Sequence, residues 1–350
     1  MRGEKTVNIK SIKNNLNSVK SKTGVKVICV IKADAYGHGA YKVAKCLDND
    51  DGYAVATTEE ALEVKEAVKG RREVLILGKV EPSEYAELIK NKATLTLDSE
   101  EELTLLNREA EKLNECAYAH IAVNTGMNRI GVKYYKPLYK LINSTNSLKN
   151  VCITGIFSHL YSSVSEIKDV QKERFIFAVS GVEKSKNLTV HLGATSAVGD
   201  KSLYFDALRL GIGLYGYCAD GVVPSMEVKG KVVAVNYLSA GETVGYNFGY
   251  VSKGNEYSAT VSLGYADGVP RAFTGGDVLI GGKRRKIVGN ICMDACFAIV
   301  DEKVKVGDEV VFIGKQGNEI LTAEDMAKTL KTIPYEVLIG FKRIKTSYKE

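Results

Sequence analysis

No stretch of this 350-residue chain approaches the ~18 consecutive apolar residues of a membrane span, and its opening MRGEKTVNIK has no apolar signal core. The chain reads as soluble. Histidine is scarce, with four residues (His38, His120, His159, His191), and cysteine lacks paired spacing: Cys292 and Cys296 stand four apart with no second pair. No metal centre is expected. The seven cysteines are odd in number and lie mostly in apolar, strand-like runs, which fits reduced core thiols in a cytoplasmic enzyme. A net charge of +6, with both signs interspersed, argues against a dedicated nucleic-acid surface. What is abundant is apolar residues, 45% of the chain, enough at this length for a large core and two domains.

One stretch organises the rest. The apolar run ending in VICVI (27–31) stops abruptly at Lys32, and Tyr36, Gly37 and Gly39 follow in a loop. Its β-branched residues favour a buried strand. A lysine at the mouth of such a strand is costly unless solvated, paired or covalently engaged. A lone lysine there more often just reaches solvent. The neighbouring glycines, which admit close backbone approach, tip the reading towards ligand chemistry. Desolvation favours the neutral amine that forms Schiff bases, so Lys32 is the candidate attachment point for a carbonyl cofactor.

Strand-like runs recur at 26–31, 52–57, 73–79, 93–97, 117–124, 151–158, 189–195 and 206–210, mostly separated by amphipathic segments. Thr57 with Glu60, and Ser99 with Glu102, predict capping boxes ahead of two helices. Pro137 and the run 170–184 mark two more. Eight mostly apolar strands alternating with helices predict a closed parallel (β/α)8 TIM-like barrel over residues 1–221, with a doubly wound open sheet as the alternative. Lys32, Asn124, His159, Ser196 and Arg209 fall at or just past the carboxyl ends of different strands, the face where barrels collect ligand-handling residues. Thr195-Ser196 and Gly211-Ile212-Gly213 occupy the loops that often bind phosphate in this fold. From 222 to 350 short alternating strands and Gly-rich turns predict a C-terminal, mainly β domain, with one late helix after Thr322.

Seven motifs in order resemble the alanine racemase family, the fold-type-III enzymes dependent on pyridoxal 5′-phosphate (PLP): KADAYGHG (32–39), NTGMNRIG (124–131), GIFSH (155–159), RLGIGLYG (209–216), GYADG (264–268), GNICMD (289–294) and PYE (334–336). The resemblance implies roles. Lys32 holds PLP and serves as one catalytic base; Tyr265 is the second, reaching the site of the other subunit in a homodimer. Arg209 faces the pyridine nitrogen, and His159 links it to the tyrosine. Tyr36, Ser196, Gly211, Ile212 and Tyr335 cradle the phosphate. Arg129 and the backbone N–H of Met293 meet the substrate carboxylate. Two bases on opposite faces would invert an amino acid's α-carbon. An always-protonated arginine would leave the pyridine nitrogen without a proton, which discourages side reactions. Tyrosine's unperturbed pKa is about 10, so a cationic network of His159 and Arg209 would help it act as a base. Apart from their motifs, lone histidines at strand ends are usually structural, and His120 and His191 receive that reading.

The implied activity is interconversion of L- and D-alanine for bacterial cell-wall precursors. The alternatives are a serine or broader amino-acid racemase, including the cytosolic domain of a membrane-anchored enzyme, and a PLP-binding protein without catalysis. Tyr335 favours alanine over serine, because an aromatic ring there narrows the pocket. One departure stands out. Where many family members carry a lysine that becomes carbamylated to brace the arginine, this chain has Ala122, with Asn124 in place of aspartate. Arg129 is therefore expected to be braced by a bound anion, chloride foremost, or by a nearby carboxylate.

Overall fold

The computed structural model describes residues 3–136, 138–144, 147–182 and 188–350. Contacts divide the chain into two compact units. One is Ile12–Ala35 with Gly39–Val223; the other is Met1–Ser11, Tyr36–His38 and Pro224–Glu350.

After β1 (Gly3–Asn8) come β2 (Lys26–Val30), β3 (Tyr53–Val55), β4 (Val74–Ile76), β5 (Thr94–Leu97), β6 (Ala117–Asn124), β7 (Val132–Lys133), β8 (Val151–Phe157), β9 (Thr189–Ala194) and β10 (Ala207–Leu210). β2, β3, β4, β5, β6, β8, β9 and β10 form the first unit's sheet, all parallel. β10 pairs back onto β2 and β5 onto β6, so the sheet closes. It is the eight-stranded barrel that the sequence predicts. Strands covered on both faces have no polar side to alternate with, and β3, β4 and β5 are buried at every position. Full burial of a valine, leucine or isoleucine contributes about 1.5–3 kcal/mol, so these short strands are held mainly by packing.

The helices follow their caps, with one difference. Thr57 accepts from Glu60 N and Ser99 from Glu102 N, as expected. The reciprocal half of each box is absent. Each glutamate reaches one residue further back, Glu60 Oε2 to Ala56 N at 2.7 Å and Glu102 Oε2 to Asp98 N at 2.9 Å. Thr322 and Asp325 do form the full box, over helix Ala323–Leu330. Leu138–Ser144 and Ser165–Val179 match the other two expected helices; Pro137 and positions 183–184 of the expected run lie outside the described residues.

The second unit contains β11 (Met226–Leu238), β12 (Thr243–Val244), β13 (Tyr250–Val251), β14 (Glu256–Val261), β15 (Asp277–Ile280), β16 (Lys283–Val288), β17 (Cys296–Val300), β18 (Glu309–Gln316), β19 (Glu319–Leu321) and β20 (Thr346–Lys349). β11, β14, β17, β16, β15 and β18 pair antiparallel in that order, and β18 returns to β11. Gly281 and Gly282, with φ of +63° and +73°, make the two-residue turn between β15 and β16. β1 adds to this sheet, antiparallel to β11 and parallel to β20, a placement the sequence did not disclose. Its Lys5, 2% exposed, donates to the Gly37 carbonyl at 2.7 Å. Among the described residues no helix is long and apolar enough to cross a membrane.

Candidate active site

β2 delivers Lys32 to the carboxyl end of the barrel, where the chain turns in an unusual way. Ala33, Asp34, Ala35 and Tyr36 have φ of +52° to +54°, so Lys32–Gly37 is one turn of left-handed helix. Non-glycine residues enter this region at roughly 1–2 kcal/mol each, so the surroundings must hold the turn. Glu60 does so from the start of helix Thr58–Ala67. Its Oε1 accepts from Ala33 N at 2.6 Å while Oε2 accepts from Ala56 N. Asp34 Oδ1 accepts from Ala40 N at 2.8 Å and closes the other end. With both Glu60 oxygens engaged, the Lys32 amine forms no ion pair among the described residues. Burial, reinforced by the Arg129 charge and opposed by Glu60, pulls its pKa below the ordinary lysine value.

Arg209, in β10, is 2% exposed. Its Nη1 donates to His191 Nδ1 (2.6 Å) and to the His191 carbonyl (3.2 Å). Its Nη2 donates to the carbonyls of Ser158 (2.6 Å) and Leu192 (3.0 Å). The guanidinium carbon lies 5.4 Å from the Phe157 ring centroid. Four of the five N–H donors are thereby engaged, and Nε–H remains for a ligand. His159 follows β8, and its carbonyl accepts from the buried Gln171 at 3.0 Å. Burial, then the charges of Arg209, Arg129 and Lys32, push its pKa down to about 3. His159 is therefore held neutral by its burial among these charges.

Ser196 is exposed on the turn after β9. Thr195 Oγ1 accepts from Gly211 N and Gly213 N, each at 3.2 Å, and so shapes the loop that carries Ile212. A Cβ on Gly213 would lie 2.8 Å from Leu210 Cδ1 and 2.9 Å from Thr195 Cγ2, so a larger residue there would have to displace both side chains. Ala122, Asn124, Arg129, Phe157, Ser158 and His159 line a small pocket. Asn124 Oδ1 accepts from the N–H groups of Gly126 and Asn128, which fixes the loop bearing Arg129. Arg129 itself is exposed and forms no ion pair among the described residues. The first unit thus gathers Lys32, Arg129, His159 and Arg209 within mutual electrostatic reach.

In the second unit, Tyr265 and Met293 come together. Tyr265 N donates to the Cys292 carbonyl and Ala266 N to that of Met293, both at 3.0 Å. A Cβ on Gly264 would sit 2.3 Å from the Cys292 carbonyl, so GYADG needs its first glycine for this approach. Tyr265 and Met293 are 43% and 53% exposed. Beside them the Asn290 side chain donates to the Tyr246 carbonyl, placing the strongly exposed Tyr246 and Phe248 on a neighbouring loop. Tyr335 lies with its ring centroid 5.7 Å from that of Tyr36.

Three contributors were not recognised in the sequence. Glu60 looked like a cap residue, and His191 and His120 looked structural; His191 in fact touches Arg209, and His120 touches His191. For His191 the available signal was its place at the head of the HLGATS run (191–196), on the strand that leads into the Thr195-Ser196 turn. Among the described residues no His/Cys/Asp/Glu cluster could hold a metal ion. Cys29 and Cys296 are buried, while Cys152 and Cys218 are exposed.

Comparisons with known proteins bear on the family. Residues 7–219 match the alanine racemase N-terminal domain family and residues 225–348 its C-terminal domain family. Alanine racemase 2 of Caldanaerobacter subterraneus is 37% identical, covering 96% of this chain and 92% of that protein. The alanine racemase structure from Clostridium difficile 630 superposes with a TM-score of 0.91 at 33% identity, covering 100% of this chain and 96% of the other. The E. faecalis alanine racemase structure gives 0.93 at 30%, covering 99% and 98%. The chain belongs to the alanine racemase family.

Proposed function

We propose that the protein interconverts L- and D-alanine, with PLP attached to Lys32 and with Lys32 and Tyr265 as bases on opposite faces of the substrate. The observation that carries this reading is the state of Lys32. Its amine stands at the carboxyl end of a barrel strand, lowered in pKa and paired with no carboxylate among the described residues, on a strained turn held by Glu60. The residues present fit the cofactor: a buried guanidinium with one donor remaining suits an unprotonated ring nitrogen, and the tight Thr195–Gly213 loop suits a phosphate. When bound, PLP supplies an electron sink for the α-carbon.

The chain's own groups do the rest. Arg209 Nε–H would be the donor available to the ring nitrogen, and as a guanidinium it would keep its own proton. Ser196 and the backbone of Gly211 and Ile212 would hold the phosphate, and the family resemblance matches Tyr36 and Tyr335 to the same group. Arg129 and the Met293 N–H orient the substrate carboxylate. Lys32 Nζ takes the α-proton on one face while Tyr265 Oη of the partner subunit returns one on the other; the reverse direction exchanges these roles. A homodimer supplies that tyrosine, and the exposure of Tyr265, Met293, Tyr246 and Phe248 on one region supports such pairing. The product serves cell-wall precursor synthesis in the cytoplasm. Turnover of L-alanine and L-serine with added PLP, read by a chiral assay, tests the reading. Alanine is expected to turn over and serine much less; equal rates on both contradict the assigned substrate.

A further inference from the structure

Behind Arg209, on the side away from its remaining donor, a line of polar side chains crosses the barrel interior. Because arginine only donates, His191 Nδ1 must accept from Nη1, which places the imidazole proton on Nε2. His191 Nε2 lies 3.0 Å from His120 Nδ1, so His120 accepts there and carries its own proton on Nε2. That atom has no well-aligned acceptor among the described residues, and Glu73 Oε1, 3.2 Å away, is the carboxylate in range. The donors therefore run the same way from Arg209 through His191 to His120, and Glu73 Oε1 is the carboxylate within ion-pairing range of the last one.

The sequence is built to make room for this line. A Cβ at Gly155 would sit 2.6 Å from both Cε1 and Nε2 of His120, so the glycine of GIFSH vacates the space for that ring. Phe157 stacks on His191 at 5.2 Å and 15°. His120 and His191 are 1% and 0% exposed, whereas the Glu73 side chain, just before β4, is 42% exposed. Thr94 Oγ1 donates to Glu73 Oε1 at 3.1 Å, and the Lys65 charge is felt there. Arg209 has no carboxylate within ion-pairing distance among the described residues. A buried guanidinium is costly unless negative charge or aligned dipoles answer it. In a low dielectric, hydrogen-bonded groups aligned head to tail polarise one another.

We propose that Glu73 is a positioning residue for Arg209, acting through His120 and His191: its carboxylate ends the donor line and fixes the pose and effective charge of the guanidinium. The inference rests on the reading that Arg209 meets the cofactor ring nitrogen. The test compares wild type with Glu73→Gln, which preserves shape and removes charge at a half-exposed site, and with Arg209→Gln. In ¹⁵N-histidine-labelled protein, with and without PLP, the His120 Nε2–H resonance is expected downfield in wild type and shifted upfield in Glu73→Gln. In holoenzyme loaded with ring-¹⁵N PLP, both variants are expected to move the ring nitrogen resonance. Glu73→Gln is expected to lower kcat about 3–10-fold with little change in KM, the size of effect that coupling through intervening residues produces. A wild-type His120 signal in Glu73→Gln overturns the proposal. So does a ring nitrogen that responds to Arg209→Gln but not to Glu73→Gln. A ring nitrogen indifferent to Arg209→Gln refutes the underlying placement of Arg209 and the proposal with it.

Discussion

Glu60→Gln isolates what holds the left-handed turn at Lys32. The wild-type carboxylate uses one oxygen for Ala33 N and the other for Ala56 N, at 2.6 and 2.7 Å. A glutamine has one acceptor oxygen, so one of these N–H groups would face the side-chain NH2, donor against donor. Leaving a buried donor unmet costs about 1–3 kcal/mol, and the surviving bond loses its charge assistance. Glu60 also raises the Lys32 pKa, so its neutralisation lowers that pKa further. Two outcomes are expected together. The urea midpoint falls at unchanged m, by an amount equivalent to about 1–3 kcal/mol. Loading of PLP onto the variant also extends to lower pH than in wild type, because the neutral amine forms more readily. Stability within about 0.5 kcal/mol of wild type, the range of an ordinary surface change, refutes the assignment of Glu60 as the brace.

Further predictions follow from the same geometry. Ala33→Gly relieves a residue held at φ +52° and should stabilise by about 0.5–1 kcal/mol, the opposite of glycine's usual effect; destabilisation in the same urea titration argues against the left-handed turn. His159 is a base whose folded pKa, about 3, lies below its unfolded value, so the unfolded chain binds the extra proton and stability falls as pH drops from about 6.5 towards 3. His159→Gln removes that loss, so its stability relative to wild type should improve on going from pH 8 to pH 4.5; a pH-independent difference contradicts burial of a neutral His159. Arg129 has no ion pair among the described residues, and Ala122 and Asn124 carry no charge. If an anion braces it in the loaded enzyme, replacing chloride with a large, weakly coordinating anion at fixed ionic strength should lower turnover; an unchanged rate rejects the anion.

The barrel was legible because a parallel strand covered on both faces must be apolar nearly throughout, and eight such runs stand out of this sequence. Antiparallel strands after 222 were equally legible from short runs and glycine turns. The turn at Lys32 was not. Ala33, Asp34, Ala35 and Tyr36 have no intrinsic preference for positive φ, and alanine is the strongest right-handed helix former. Its conformation comes from Glu60, 27 positions away in the chain. β1 escaped for a similar reason, since GEKTVN carries two charges and its buried Lys5 is made tolerable by a distant carbonyl. Lys32, His159 and Arg209 were candidates from their motifs alone, and the structure places each at the carboxyl end of a barrel strand or just after it. The line from Arg209 to Glu73 could not, because it joins residues on four different strands or their ends, and strand neighbours become known only once the barrel closes.

The central claim is two bases contributed by different subunits, and mixing inactive subunits tests it most directly. Lys32→Ala and Tyr265→Phe proteins should each be nearly inactive alone. After subunit exchange, verified by differently tagged copies, one site of each mixed dimer would hold both Lys32 and Tyr265, and alanine racemisation should return to a substantial fraction of wild type. Absence of activity in verified mixed dimers, or full activity in either variant alone, contradicts the account.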